Sequence, residues 1–92
     1  MRTIWKFTLQ VGKPPVIMPQ GATLLHVGMQ FGTLCLWALV DSDAPLVTRR
    51  LVVKGTGWDC HDVEASHHVG SVVDEVGGFV WHIFDCGSEF LP

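Results

Sequence analysis

The chain has 92 residues, 48% of them hydrophobic and 16% charged, with a formal net charge of −3. This length suits one small domain and excludes a two-domain enzyme with its own cofactor lobe, while the apolar content excludes a disordered chain. The acidic balance argues against a DNA or RNA backbone as partner, because neutralising phosphates needs a concentrated basic surface.

Trp5, Phe7, Leu9 and Val11 alternate with Lys6, Thr8 and Gln10, the period-2 pattern of a half-buried strand, and Pro14-Pro15 stops it. Val16-Ile17-Met18 is a short extended piece closed by the turn Pro19-Gln20-Gly21. Thr23, Leu25, Val27 and Met29 then alternate with Leu24, His26, Gly28 and Gln30 as a second long strand, and Phe31-Gly32 makes a tight connection. Leu34 through Val40 is apolar on both faces and reads as a central strand covered on both sides. Asp41-Ser42-Asp43-Ala44-Pro45 is a loop by composition.

Leu46–Lys54 is a strand of β-branched residues around Arg49-Arg50, ended by Gly55-Thr56-Gly57. Trp58–Ser66 has no apolar stripe and reads as a long loop or one helical turn. His67–Val73 and Phe79–Phe84 are strands joined by a Gly-Gly turn over Asp74–Gly78, and the tail Gly87–Pro92 is expected to be loosely held. Six to seven short strands at roughly ten-residue spacing predict an all-β protein: one domain over residues 1–92, built as an antiparallel β-sandwich or small barrel.

Charge is unevenly spread. All six basic residues (Arg2, Lys6, Lys13, Arg49, Arg50, Lys54) precede Gly55, where Asp41 and Asp43 are the only acids; seven acids and no base follow. Either the molecule is dipolar and able to associate head to tail, or the strands interleave and the asymmetry cancels locally. Cys35, Cys60 and Cys86 form no CxxC pair and no disulfide framework. The N-terminal segment alternates instead of forming the apolar run of a signal peptide, and no stretch is long enough for a membrane span. A cytoplasmic setting is expected, with the cysteines serving as small hydrophobes.

Four constellations hold residue types that could carry chemistry. Cys60-His61 and His67-His68, with Asp59, Asp62 and Glu64, gather metal-ligand residue types, but as adjacent pairs and not at ligand spacing. Neighbouring strand residues point to opposite faces, so no metal site and no cofactor is expected, and a metal-dependent hydrolase ranks third among the readings. Cys60-His61 and Ser66-His67 lack a third group to orient the base, so no catalytic residue is assigned. Gly55-Thr56-Gly57 lacks the third glycine and the following helix of a phosphate-cradling loop.

The aromatic set says more. Four Trp and five Phe occur with no Tyr; Trp5, Trp37 and Trp81 are expected in the core. Trp58 stands in the least regular segment, either as a stacking platform for a planar ring or as a lid over the sandwich. One of Arg49 and Arg50 should point outward to a phosphate or carboxylate, unless an acidic cross-strand neighbour takes it. His26, Gln30 and His82 would form a neutral hydrogen-bonding wall if their strands are neighbours on one face.

Ile4-Trp5-Lys6-Phe7, Met18-Pro19-Gln20-Gly21-Ala22, Leu25-His26-Val27, Leu36-Trp37-Ala38-Leu39-Val40-Asp41 and Phe79-Val80-Trp81-His82-Ile83-Phe84 together resemble a family of small tailed-phage proteins of unknown function. The resemblance spans nearly the whole chain and carries no catalytic motif. It implies a phage accessory protein acting in the host cytoplasm, similar in size and all-β character to counter-defence sponges that sequester nucleotide immune signals. The expectation is therefore a homo-oligomer that binds a cyclic nucleotide or cyclic ADP-ribose-like ligand without cleaving it, through Trp58, Arg49, Arg50, His26, Gln30 and His82. The other expectation is a protein-interaction module that binds a host or virion protein through its edge strands.

Overall fold

The structure, a computed structural model, describes residues 1–12 and 15–90. The alternating segments become seven strands: β1 (Arg2–Thr8), β2 (Val16–Pro19), β3 (Thr23–Gln30), β4 (Thr33–Asp41), β5 (Leu46–Gly55), β6 (His68–Asp74) and β7 (Phe79–Phe90). They form an antiparallel three-stranded sheet, β1-β4-β3, packed on a four-stranded sheet, β2-β5-β7-β6. The result is an open sandwich and not a closed barrel. Trp58–Ser66 runs as turns into a single 3₁₀ turn, Ala65–His67, and no helix among the described residues is long and apolar enough to cross a membrane.

β4 is the central strand of the smaller sheet, as its apolar run predicts. Leu34, Leu36, Ala38 and Val40 face inward and are buried, joined from the larger sheet by Met18, Val53, Val72 and Ile83. The outward side of β4 lacks the cover that the sequence predicts: Cys35 is buried, but Leu39 and Trp37, the latter expected in the core, are half-buried because no second layer lies on that face among the described residues. Lys6 Nζ donates to Gln30 Oε1 at 3.0 Å, joining the two strands that flank β4 on that outer side.

Three further sequence expectations change. In β3, Leu24 pairs with Ala38 and His26 with Trp37, so Leu25 is an extra, bulged residue. The bulge moves Leu24 onto the core and leaves Leu25 49% exposed, reversing the alternation read from residues 23–25. Trp5 is on the inward row, opposite Ala38, yet it is 37% exposed. It belongs to an edge strand: β3 packs on β6 and closes one side of the sandwich, whereas β1 makes no comparable contact with the larger sheet. Finally, the segment expected as a loose tail continues β7, with Ser88 opposite Arg49 and Phe90 opposite Val47; residues 91–92 lie outside the described residues.

Interleaving decides the charge question in the larger sheet, where basic β5 lies beside β7 from the acidic half of the chain. Arg49 pairs with Asp85 and Lys54 with Asp62, so two of the bases are neutralised by acids from that half.

The closed side depends on a glycine. A Cβ on Gly70 of β6 would lie 2.7 Å from Val27 Cγ2 in β3, well inside contact distance. Gly70→Ala must push the two sheets apart or force Val27 off its rotamer, at about 1–3 kcal/mol. Urea denaturation should show that loss; an unchanged midpoint would mean that β6 and β3 do not approach so closely.

Candidate functional site

β2 is short because of what precedes it. It pairs only as far as Val16 opposite Arg49, and Pro15 has no N–H with which to extend the ladder. β5 continues to Gly55, so beyond Arg49 it has β7 on one edge and no β2 on the other. A cleft of about 380 Å³ follows that free edge, from Arg50 to Lys54. One wall is Gln10–Gly12 with Pro15, and the other is Trp58 and Asp62 from the loop after β5.

Trp58 is held from below. Its indole covers Gly55, where a Cβ would lie 2.8 Å from Cε2 and 2.9 Å from Nε1. Trp81 meets it edge-on at a centroid distance of 5.6 Å, and Phe79 stacks on Trp81 at 4.8 Å. Trp58 remains 45% exposed, so the two sequence alternatives meet: it caps the aromatic end of the sandwich and still presents ring surface to the cleft. Gly55→Ala should therefore dislodge Trp58 from Trp81 and shift tryptophan emission towards that of an exposed indole. A spectrum identical to wild type would show that the ring does not lie on Gly55.

The adjacent arginines divide. Arg49 turns inward and is fully engaged: Nε and Nη2 donate to the two oxygens of Asp85 at 3.0 and 2.6 Å, and Nη1 donates to the Ala22 carbonyl at 3.0 Å. The acidic neighbour anticipated for a strand arginine is Asp85, and Arg49 ties the larger sheet to the entry of β3. The guanidinium, with the Gly87 N–H, holds the Asp85 carboxyl below its usual range. Arg50 lies outward and exposed, beside a bulge in the β5–β7 pairing, and it lines the cleft with Trp58.

The wall of His26, Gln30 and His82 does not form, because β3 and β7 belong to different sheets. His26 lies against Trp37 with ring centroids 5.8 Å apart, and Gln30 accepts from Lys6, both on the outer face of the smaller sheet. His82 lies on the outer face of the larger one. There its Nε2 is hydrogen-bonded to Thr56 Oγ1 at 2.7 Å and its Nδ1 to Ser71 Oγ at 2.7 Å, and Ser71 Oγ also meets His68 Nε2 at 2.9 Å. A hydroxyl between two imidazoles is an arrangement used by nucleophiles, but neither Ser71 nor His82 lines the β5 cleft. The network fixes the His82 ring of β7 between β6 and the turn that follows β5.

The loop candidates separate as well. His61 Nδ1 is hydrogen-bonded to Asp59, Cys60 Sγ points to the Trp58 carbonyl, and His68 belongs to the Ser71 network. Among the described residues, no three His, Cys, Asp or Glu side chains gather as metal ligands.

Lys54 is absent from the candidates read in the sequence. Its ammonium lies 2.9 Å from Asp62 Oδ1 and its side chain is 16% exposed within the cleft. The signal was available: Arg50 and Lys54 are four residues apart on one strand, an even spacing that returns to the same face.

The fold and cleft define a small all-β sandwich with a solvent-open groove along the stretch of β5 that β2 does not reach. The chain belongs to a family described as a domain of unknown function (DUF7352), matched over residues 1–89. No curated protein and no solved structure matches it.

Proposed function

We propose that this protein is a binding module that holds a nucleotide-type ligand in the β5 cleft without cleaving it. One observation carries the reading: an exposed indole and the cationic Arg50 and Lys54 line a single cleft along a strand edge that no strand pairs among the described residues. The indole supplies a face for a base, Arg50 a bidentate donor for phosphate, and the β5 edge main-chain groups for base or ribose. A volume of about 380 Å³ lies at the small end of ligand sites and suits one mononucleotide unit. Arg49, His26, Gln30 and His82 do not enter this site.

The resemblance to small tailed-phage proteins extends the proposal to its setting. The ligand is then a cyclic nucleotide or cyclic ADP-ribose-like immune signal of the infected host, sequestered in the host cytoplasm. Exposed Ile4, Phe31, Val76 and Phe79 offer apolar surface for a homo-oligomer, which would multiply the clefts per assembly.

The test mixes the protein with a panel of adenine and guanine nucleotides, linear and cyclic, and follows its melting temperature. A bound ligand at a hundredfold over its Kd adds about 2.7 kcal/mol, a shift of many degrees for a domain this small. Heating the complex should release the ligand intact, and Arg50→Glu should abolish the shift. No shift and no recovered ligand across the panel would reject the reading.

The same free edge supports a second reading, a partner protein adding an extended strand beside β5. That reading predicts capture of a peptide whose binding survives Trp58→Ala and Arg50→Glu, since main-chain pairing would supply the affinity.

A further inference from the structure

We propose that Asp62 is a built-in competitor for the ligand's anionic group, and that Lys54 is the anchor for which the two compete. The inference rests on the cleft binding a phosphate-bearing ligand, and it identifies which side chain receives the phosphate and what that side chain must release. Lys54 and Asp62 both line the cleft, with Nζ and Oδ1 2.9 Å apart. The Lys54 side chain is 16% exposed and that of Asp62 35%, so the ammonium is the more enclosed partner and the carboxylate the one nearer water. An arriving phosphate oxygen can take over the ammonium while Asp62 turns outward and regains hydration.

The chain between the two is suited to such an exchange. It passes through Gly57 at φ +89°, and its turns are held by Trp58 N–H to the Gly55 carbonyl at 3.1 Å and Val63 N–H to the Cys60 carbonyl at 3.3 Å. Thr56 is still tied to β7 through its N–H to the Val80 carbonyl at 3.2 Å, and no strand pairing fixes Gly57 through Glu64 among the described residues. Trp58 and Asp62 share this one loop, so release of Asp62 from Lys54 loosens the far half of the loop while Trp58 stays seated on Gly55 and Trp81. With the pair closed, Arg50 is, among the described residues, the cation of the cleft lining left without a carboxylate from that lining. With the pair open, Arg50 and Lys54 both face the ligand, which favours more highly charged phosphates over weakly charged ones.

The experiment measures Kd for ADP and for 3′,5′-cyclic AMP, by calorimetry, on wild type, Asp62→Asn, Lys54→Met and the double variant. The pair is at the protein surface, so Asp62→Asn should fold with a melting temperature near that of wild type. The expected result is three- to tenfold tighter binding in Asp62→Asn, weaker binding in Lys54→Met, and no gain from Asp62→Asn in the Lys54→Met background. Binding by Asp62→Asn where wild type binds neither probe would support both the cleft and the competition. Wild-type binding with an unchanged or weakened Asp62→Asn would overturn the competition and leave the binding site standing, with Asp62 as a tether. A tightening that persists in the Lys54→Met background would also overturn it. If neither wild type nor Asp62→Asn binds either probe, the cleft reading falls and the inference with it.

Discussion

Arg49→Met is expected to cost about 2–4 kcal/mol of stability at neutral pH, a large share of what a domain this small possesses. The substitution keeps the aliphatic bulk and removes three donated hydrogen bonds, two to Asp85 and one to the Ala22 carbonyl. Asp85 is left ionised with the Gly87 N–H at 3.2 Å as its remaining donor. The Asp85 side chain is 23% exposed, so water recovers part of its solvation, and the loss stays below that of a fully enclosed ion pair.

Acid should narrow the difference without abolishing it, because the bond to the Ala22 carbonyl does not titrate. Because the folded state holds the Asp85 carboxyl below its ordinary value, the unfolded chain takes up the proton first. The pair therefore contributes fully above the ordinary aspartate range near about 3.9, and its contribution fades as pH falls from there through the lower folded value. Urea denaturation of wild type and Arg49→Met at pH 7, 5 and 3 should show a constant gap at the two higher values and a smaller one at the lowest. A gap independent of pH would mean that the methionine is felt through packing alone.

Much of the strand plan was readable because its signals are local. Proline and glycine punctuation marked the ends of β2 and β3, and the apolar run at 34–40 marked a central strand, though its outer face lacks the cover which that run predicts. The bulge at Leu25 left no such mark: threonine and three apolar residues in the alternation allow either register, and only the pairing of Leu24 with Ala38 and of His26 with Trp37 selects one. Trp5 shows a different limit. Its face was legible, but its coverage depends on the facing sheet, whose outermost strand is the four-residue β2. The site was legible in part for the same reason. Trp58 and Arg50 announced themselves as an aromatic in an irregular segment and a strand arginine. Which arginine would point outward depended on Asp85, thirty-six residues away, and Lys54 became visible only once β5 was seen to outrun β2.

Leu36→Ala should be as damaging as the loss of Arg49, at about 2–5 kcal/mol, for a reason that involves no charge. Leu36 lies at the middle of β4, between Phe7 on β1 and Val27 on β3, on the inward face and fully buried. Its side chain belongs to the cluster that contains Met18 and Ile83 of the opposite sheet. Both layers are fixed by their own hydrogen-bonded ladders, so neither can collapse into the space, and the penalty combines lost burial with a residual cavity. Leu39, three residues on, points outward and is half-buried, so Leu39→Ala should cost no more than about half as much. Guanidinium denaturation of the two variants separates the faces of β4. Equal losses would require a second layer covering the outer face of the smaller sheet, which in solution would be another copy of the chain, and the loss at Leu39 would then depend on protein concentration.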